Sequence, residues 1–310
     1  MRIVSVGEVL WDVIGQNEYL GGAPLNFAAH AQKLGHEVFP LSAVGQDERG
    51  QRTLDSLRKR GMSTEFVHVL PGEATGTAEV ELDMEGKPSF RIVRPAAYDF
   101  VDLSEKQLKA IGALKPDWVY FGTLYHMSSQ ALASTMKLLR ALPSAKRFYD
   151  VNLREGNWHL GTVEQLSSRT TVVKLSDSEA EYLDANVNAS ANDDSIESFA
   201  RRWSDRFQCK IMCITVGERG CAILMDHGYC QIPGFRVEVA DTVGAGDAFS
   251  AAFVHGLEQG WKAEQIGRFA NGVGATVASR AGAIPEWNVS EVWTRIGERY
   301  HLNEVAARNS

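Results

Sequence analysis

Apolar residues recur along this chain in two rhythms. Runs such as RIVSVGEVL, DWVYFGTL, KRFYDVNLR, TTVVKLSD and KIMCITVGERG are mostly apolar and end in polar or glycine-rich loops, as strands buried on both faces do. Between them lie segments with helical character. GGAPLNFAAHAQKLG starts a small-residue helix at about Pro24 and stops it at Gly35, with proline near the start and glycine past the end. HEVFPLSAVGQDERG reads as a strand leading to Asp47, followed by the helix GQRTLDSLRKRG. This β-then-α alternation predicts an α/β fold, an open, mostly parallel sheet with helices on both faces.

The rhythm breaks between about residues 75 and 95. TGTAEVELDMEGKPSFRIVRP is two alternating runs joined by a turn at Glu85-Gly86-Lys87, hence a hairpin with one exposed face. It forms either a small β lid standing off the body or an edge hairpin of the main sheet. With no internal repeat and no linker, the expectation is a single α/β domain over 1–310, with lid elements at about 14–21 and 75–95. Ligands of open parallel sheets gather at the carboxyl ends of the strands. That rim would hold Asp12, Asp47, Thr123, Arg154, Ser176, Glu179 and Gly217.

Charge and cysteines narrow the partners. A net charge of −7 disfavours nucleic acid, although a local phosphate site survives where backbone amides dominate. No apolar run approaches the ~18 residues of a membrane span, and MRIVSVGEVLWDV reads as a first strand and not as a signal peptide. Cys209, Cys213, Cys221 and Cys230 crowd into an alternating segment without paired C-x-x-C spacing, so they read as reduced core thiols in a cytoplasmic protein.

The stretch EVADTVGAGDAFSAAFVHGLEQG carries the sharpest chemistry. After the strand-like FRVEVA, the run Gly244-Ala245-Gly246 lets the backbone turn tightly and expose consecutive N–H groups at a helix start. Together they can cradle an anion. Asp247 beside them is either an ordinary helix cap or a base that accepts a hydroxyl proton during phosphoryl transfer. A second stretch, LGGAPLNFAAH, pairs Gly21-Gly22, which allow close backbone approach, with Asn26, which hydrogen-bonds both ways. With Asp12 they suit a polyhydroxylated ligand, unless the loop is merely tight and Asp12 solvated. The P-loop, the dinucleotide fingerprint, H-E-x-x-H and G-x-S-x-G are all absent.

The two stretches GGAPLNFAAHAQKLG and DTVGAGDAF resemble the paired signatures of the ribokinase-like (PfkB-type) carbohydrate kinase family. The resemblance covers nearly the whole chain, including the tail NGVGATVASRAGAIP. It implies an ATP-dependent sugar kinase with Asp247 as catalytic base and Gly244, Ala245 and Gly246 as anion hole. Asp12, Gly22 and Asn26 match sugar-binding positions. TVGERG, with Thr215, Gly217 and Gly220, resembles the loop along the nucleotide, and Asn271 a position beside adenine or ribose. KLSDSEAEYL resembles an N-x-x-E stretch that organises Mg²⁺ through water, with Glu179 kept and Ser176 in place of asparagine. Asp241, Val243, Val277, Arg280, Gly282 and Glu286 match a loop pair that surrounds K⁺ in some members. Homodimers through the lid occur in the family.

LGGAPLN, GEVLWDV and DVNLREGNW are similar to fructokinases and, for the first, also to 2-keto-3-deoxygluconate kinases. Arg154 can serve phosphate or a substrate carboxylate, or simply pair with Asp150 or Glu155. Fructose is therefore the first expectation, the keto-acid sugar or a nucleoside the next. A non-catalytic sugar- or nucleotide-binding regulator is the reading from another class.

Overall fold

The computed structural model describes residues 1–82, 88–187 and 195–297. They fall into two compact units, one of Met1–Ala29 with His36–Thr170, the other of His30–Gly35 with the chain from Thr171 onward.

The first unit holds β1 (Arg2–Val6), β2 (Leu10–Ile14), β3 (Asn17–Gly21), most of α1 (Ala23–Lys33), β4 (Glu37–Gly45), α2 (Glu48–Lys59), β5 (Val67–Leu70), β6 (Gly76–Leu82) and β7 (Pro88–Val93). It continues with α3 (Glu105–Ala113), β8 (Trp118–Gly122), α4 (Ser129–Ala141), β9 (Lys146–Asp150) and α5 (Leu160–Ser167). Its main sheet runs β9-β8-β1-β4-β5, every pairing parallel. β1 and β8 are almost wholly buried, which explains their unbroken apolar sequences. Phe27 of α1 stacks on Tyr120 of β8 with ring centroids 3.7 Å apart, and Phe148 extends the stack at 5.6 Å. Such pairs add roughly 0.5–1.5 kcal/mol each beyond the area they bury.

RIVSVGEVL is not one strand. The chain breaks after Val6, where Gly7 donates to Leu41 O, and re-enters a second sheet as β2. That sheet, ordered β3-β2-β6-β7, is separate from the main one, so the hairpin does not extend the main sheet's edge. This second sheet is larger than the expected hairpin, because β2 pairs with β6 in parallel and places Asp12 opposite Ala78. Asp12 thus belongs to the second sheet and not to the rim of the main sheet. The turn at Glu85-Gly86-Lys87 lies outside the described residues. Glu18 of β3 is gripped by Arg49 and Arg52 of α2, each at 2.6 Å, and Arg52 lies over the Trp11 ring.

Two other rim candidates are structural. Asp47 caps α2 through Gly50 N (2.7 Å) and accepts from both Thr75 N (2.7 Å) and Thr75 Oγ1 (2.6 Å). Thr123 is buried and hydrogen-bonded to Tyr149 Oη and the Val151 carbonyl.

The second unit holds β10 (Val172–Ser176), α6 (Asp177–Val187), α7 (Ile196–Phe207), β11 (Ile211–Thr215), β12 (Gly220–Met225), β13 (Gly228–Pro233), α8 (Ala245–Glu258) and α9 (Ala263–Ala278). β10 and β11 are parallel, and β12 and β13 continue antiparallel. FRVEVA forms no strand and runs between β13 and α8 without ladder pairing. Cys209, Cys213 and Cys221 are buried free thiols, Cys230 is half-buried, and burial pushes Cys209 up to about 12. Among the described residues no helix is long and apolar enough to cross a membrane.

Burial alone would raise the carboxyl of Asp47, but hydrogen bonds from Thr75 and Gly50 outweigh it and hold the group below the ordinary aspartate range. Its contribution to stability is therefore present above that range and lost as pH falls through it. Asp47→Ala should cost about 1–2 kcal/mol at neutral pH, as loss of a helix cap does. Urea unfolding at neutral pH and near pH 3 checks this, and the two proteins should converge at the lower pH.

Candidate active site

α8 begins on glycine. Gly244 is its N-cap at φ +77° and offers no side-chain acceptor to the first turn. Several other helices are capped by side chains, α2 by Asp47, α4 by Ser128 and α7 by Ser195, whereas α5 and α9 share with α8 the lack of a side-chain cap bond. Asp247 is therefore not the cap. It is the third residue of the helix and is 8% exposed. Gly244 has a second constraint besides its φ, since a Cβ there would lie 2.2 Å from Ala283 O. Such a first turn leaves amides without side-chain acceptors, and the Asp247 carboxylate stands on it.

A cavity of about 290 Å³ opens beside this turn, near the low end of the range for small-molecule sites. Thr215, Gly217, Gly220, Ala245, Gly246 and Asn271 all line it, so six expected residues share one pocket. Its apolar wall comes from Val237, Val239, Phe249 and Ala275, which the sequence did not single out. Asn271 Nδ2 donates to Ile232 O (3.2 Å) and Pro233 O (3.3 Å), tying α9 to the end of β13. Lys174 was also missed. It is 7% exposed, and its Nζ lies 3.5 Å from where a Cβ on Gly246 would stand. A lysine inside the apolar run TVVKLS was the available signal.

Ser176 and Glu179 do not line that cavity. Glu179 Oε2 accepts from Ser176 N (2.7 Å) and Ser176 Oγ (3.0 Å), while Glu179 N donates to Ser176 Oγ (3.2 Å). This is a capping box, and S-x-x-E is its sequence signature. The shorter serine thus has a helix-starting role, and it also fixes the direction of the Glu179 carboxylate. Arg219 of the 217–220 turn reaches Asp177 in the same helix start at 2.7 Å.

The expected cation loops meet only in part. Asp241 Oδ1 accepts from Val243 N and Oδ2 from Gly282 N, both at 3.0 Å. The Val277 carbonyl accepts from Arg280 N at 3.0 Å. Glu286 is turned away, its carboxylate 2.8 Å from Lys33 and its carbonyl held by the Arg280 guanidinium. It does not fit as a cation ligand.

In the first unit, Asp12, Gly22, Asn26 and Arg154 form a second group. Asp12 Oδ2 lies 2.7 Å from where a Cβ on Gly21 would stand, so the carboxylate sits over the paired glycines. Gly22 has φ +111°, and a Cβ there would lie 2.4 Å from the Glu8 carbonyl oxygen. Asn26, 5% exposed, is held in the first turn of α1 by Asn26 N donating to Gly22 O at 2.9 Å. Glu8 Oε1, which the sequence did not flag, accepts from Ala23 N at that helix start. Burial raises the Asp12 carboxyl above the ordinary aspartate range, and the nearby Arg154 charge offsets part of the rise. Arg154 is exposed and forms no ion pair among the described residues, donating only to the Leu153 carbonyl. The expected pairing with Asp150 or Glu155 is absent there.

Comparison with known proteins bears on this arrangement. The pfkB family carbohydrate kinase model matches residues 3–289. Fructokinase-2 of Solanum lycopersicum is 28% identical over 310 residues, covering 91% of this chain and 92% of its own. A fructokinase with bound ATP from Xylella fastidiosa has TM-score 0.84 at 24% identity, covering 96% of this chain and 99% of its own. A Vibrio cholerae O395 fructokinase with fructose, ADP and calcium ion bound has TM-score 0.79 at 24% identity, covering 95% and 98%. With a family model spanning both compact units, the chain belongs to the pfkB family of carbohydrate kinases.

Proposed function

We propose that this kinase transfers the terminal phosphoryl group of ATP to a hydroxyl of a neutral sugar, fructose before others. One observation carries the reading: α8 starts without a side-chain cap, with Asp247 on its first turn and a cavity opening beside it. Phosphoryl transfer needs positioning and charge stabilisation more than covalent chemistry from the protein. The amides of Ala245 and Gly246 and the buried Lys174 ammonium offer positive potential to the moving group. Asp247 takes the proton of the acceptor hydroxyl presented to it. The apolar wall of the cavity suits a nucleobase, with Thr215, Gly217, Gly220 and Asn271 along it.

Mg²⁺ normally reaches such sites on the phosphates, keeping several waters and using one or two carboxylates. Glu179, oriented by Ser176, fits that outer role, and the ion would neutralise phosphate charge there. Main-chain oxygens around Asp241, Val243, Val277, Arg280 and Gly282 would hold K⁺, without Glu286.

Asp12, Gly22 and Asn26 are the sugar contacts. Support for fructose comes from the fructokinase relatives and from Asp12, which would repel a substrate carboxylate drawn to Arg154. The unpaired guanidinium of Arg154 is the observation that favours a second reading, 2-keto-3-deoxygluconate. The single family model supports one catalytic domain carrying the lid, whose strands bring Asp12. Exposed Ile14 and Tyr19 on that lid support dimerisation through it, and the free thiols support a cytoplasmic location.

Asp247→Asn should lower kcat by about 10²–10⁴ while KM for ATP and sugar changes little, as measured by a coupled assay. Retention of more than a few per cent of wild-type kcat would mean that another group takes the proton. Gly244→Ala should lower kcat at least as much, because the side chain meets Ala283 O and the left-handed φ. In a substrate panel, fructose should give the highest kcat/KM. Preference for 2-keto-3-deoxygluconate, lost in Arg154→Gln, would establish the second reading instead.

A further inference from the structure

His30 is fully buried in α1, and both of its ring nitrogens are engaged. Trp287 Nε1, which can only donate, reaches His30 Nδ1 at 3.0 Å. Nδ1 is therefore the acceptor and the ring proton sits on Nε2. Nε2 in turn donates to the Ala283 carbonyl at 2.9 Å. Ala283 is the residue on which Gly244 rests: its O, C and Cα lie 2.2, 2.8 and 2.8 Å from where a Cβ on Gly244 would be. Residues 279–288 contain neither helix nor strand, so no ladder fixes Ala283 in place. Its anchors include the His30 ring and, one residue earlier, Gly282 N donating to Asp241.

An apolar side chain could fill the same space without the cost of burying an imidazole. What the imidazole adds is a donor of fixed direction, its tautomer set by Trp287. We propose that His30 is a positioning residue for phosphoryl transfer: it fixes the Ala283 backbone, and so the seat of Gly244 and the direction of the amides that follow it. This rests on reading the start of α8 as the anion cradle. His30 does not touch the reacting groups. Its effect is on where the cradle points, and sub-ångström errors there are felt in turnover more than in substrate affinity.

The full-length His30→Leu, His30→Gln and Trp287→Phe variants test this against wild type, with kcat and both KM values measured for ATP and the preferred sugar. His30→Leu should lower kcat about tenfold to a hundredfold with each KM within about twofold. His30→Gln should recover most of that loss, because its amide nitrogen can donate to Ala283 O while its oxygen accepts from Trp287. Trp287→Phe, which leaves the tautomer unfixed, should fall between. A folded His30→Leu with wild-type kcat, or a His30→Gln no better than His30→Leu, would overturn the proposal. Should His30→Leu not fold, a Trp287→Phe with wild-type kcat overturns it. A wild-type protein that phosphorylates no sugar would instead sink the proposed function.

Discussion

Several helices in this protein begin on a side chain that accepts a hydrogen bond, and α8 begins on glycine. The first amides of any helix lack intrahelical acceptors, and leaving them near a protein interior is costly unless something else accepts from them. At α8 that requirement becomes a binding property. A negatively charged group entering the cavity beside Ala245 and Gly246 meets oriented amides and the helix dipole together. Asp247 stands on the same turn, although it is not among the residues that line the cavity.

Much of the surrounding structure keeps that turn in place. Asp241 ties the approach to the helix to Gly282, and Ala283 backs Gly244 so closely that no side chain fits between them. Lys174, itself buried, brings its Nζ within 3.5 Å of where a Cβ on Gly246 would stand. Asn271 spends its amide on the end of β13, which fixes the wall of the cavity. In the first unit, Asp12 faces the paired glycines under partial desolvation, with Arg154 moderating the penalty. These are two chemically distinct groups of residues, one with the uncapped turn of α8 and the other with a partly desolvated carboxylate.

Legibility in the sequence followed physical cause. Buried parallel strands such as Trp118–Gly122 are apolar throughout and were plain, as were the glycines that must adopt unusual backbone angles or let chains touch. The break after Val6 was hidden, because Gly7-Glu8-Val9 continues an apolar run while the chain changes sheets, and Asp12 was misplaced with it. FRVEVA alternates like a strand but finds no partner, a tertiary fact that local pattern does not carry. Ser176–Glu179 was read through resemblance as a metal organiser, while its capping-box signature stood in the same letters. His30 meets neighbours distant in sequence, so nothing local marked it, whereas Lys174 was marked only by standing within an apolar run.

The most direct measurement is of the amides themselves. Backbone ¹H–¹⁵N spectra of the protein should be compared with ADP alone and with ADP, aluminium fluoride and fructose, a mimic of the transferring phosphoryl group. The account predicts that adding the fluoride shifts the amides of residues 244–247 most, beyond any change caused by ADP. Shifts concentrated elsewhere, with those four amides unmoved, would contradict it.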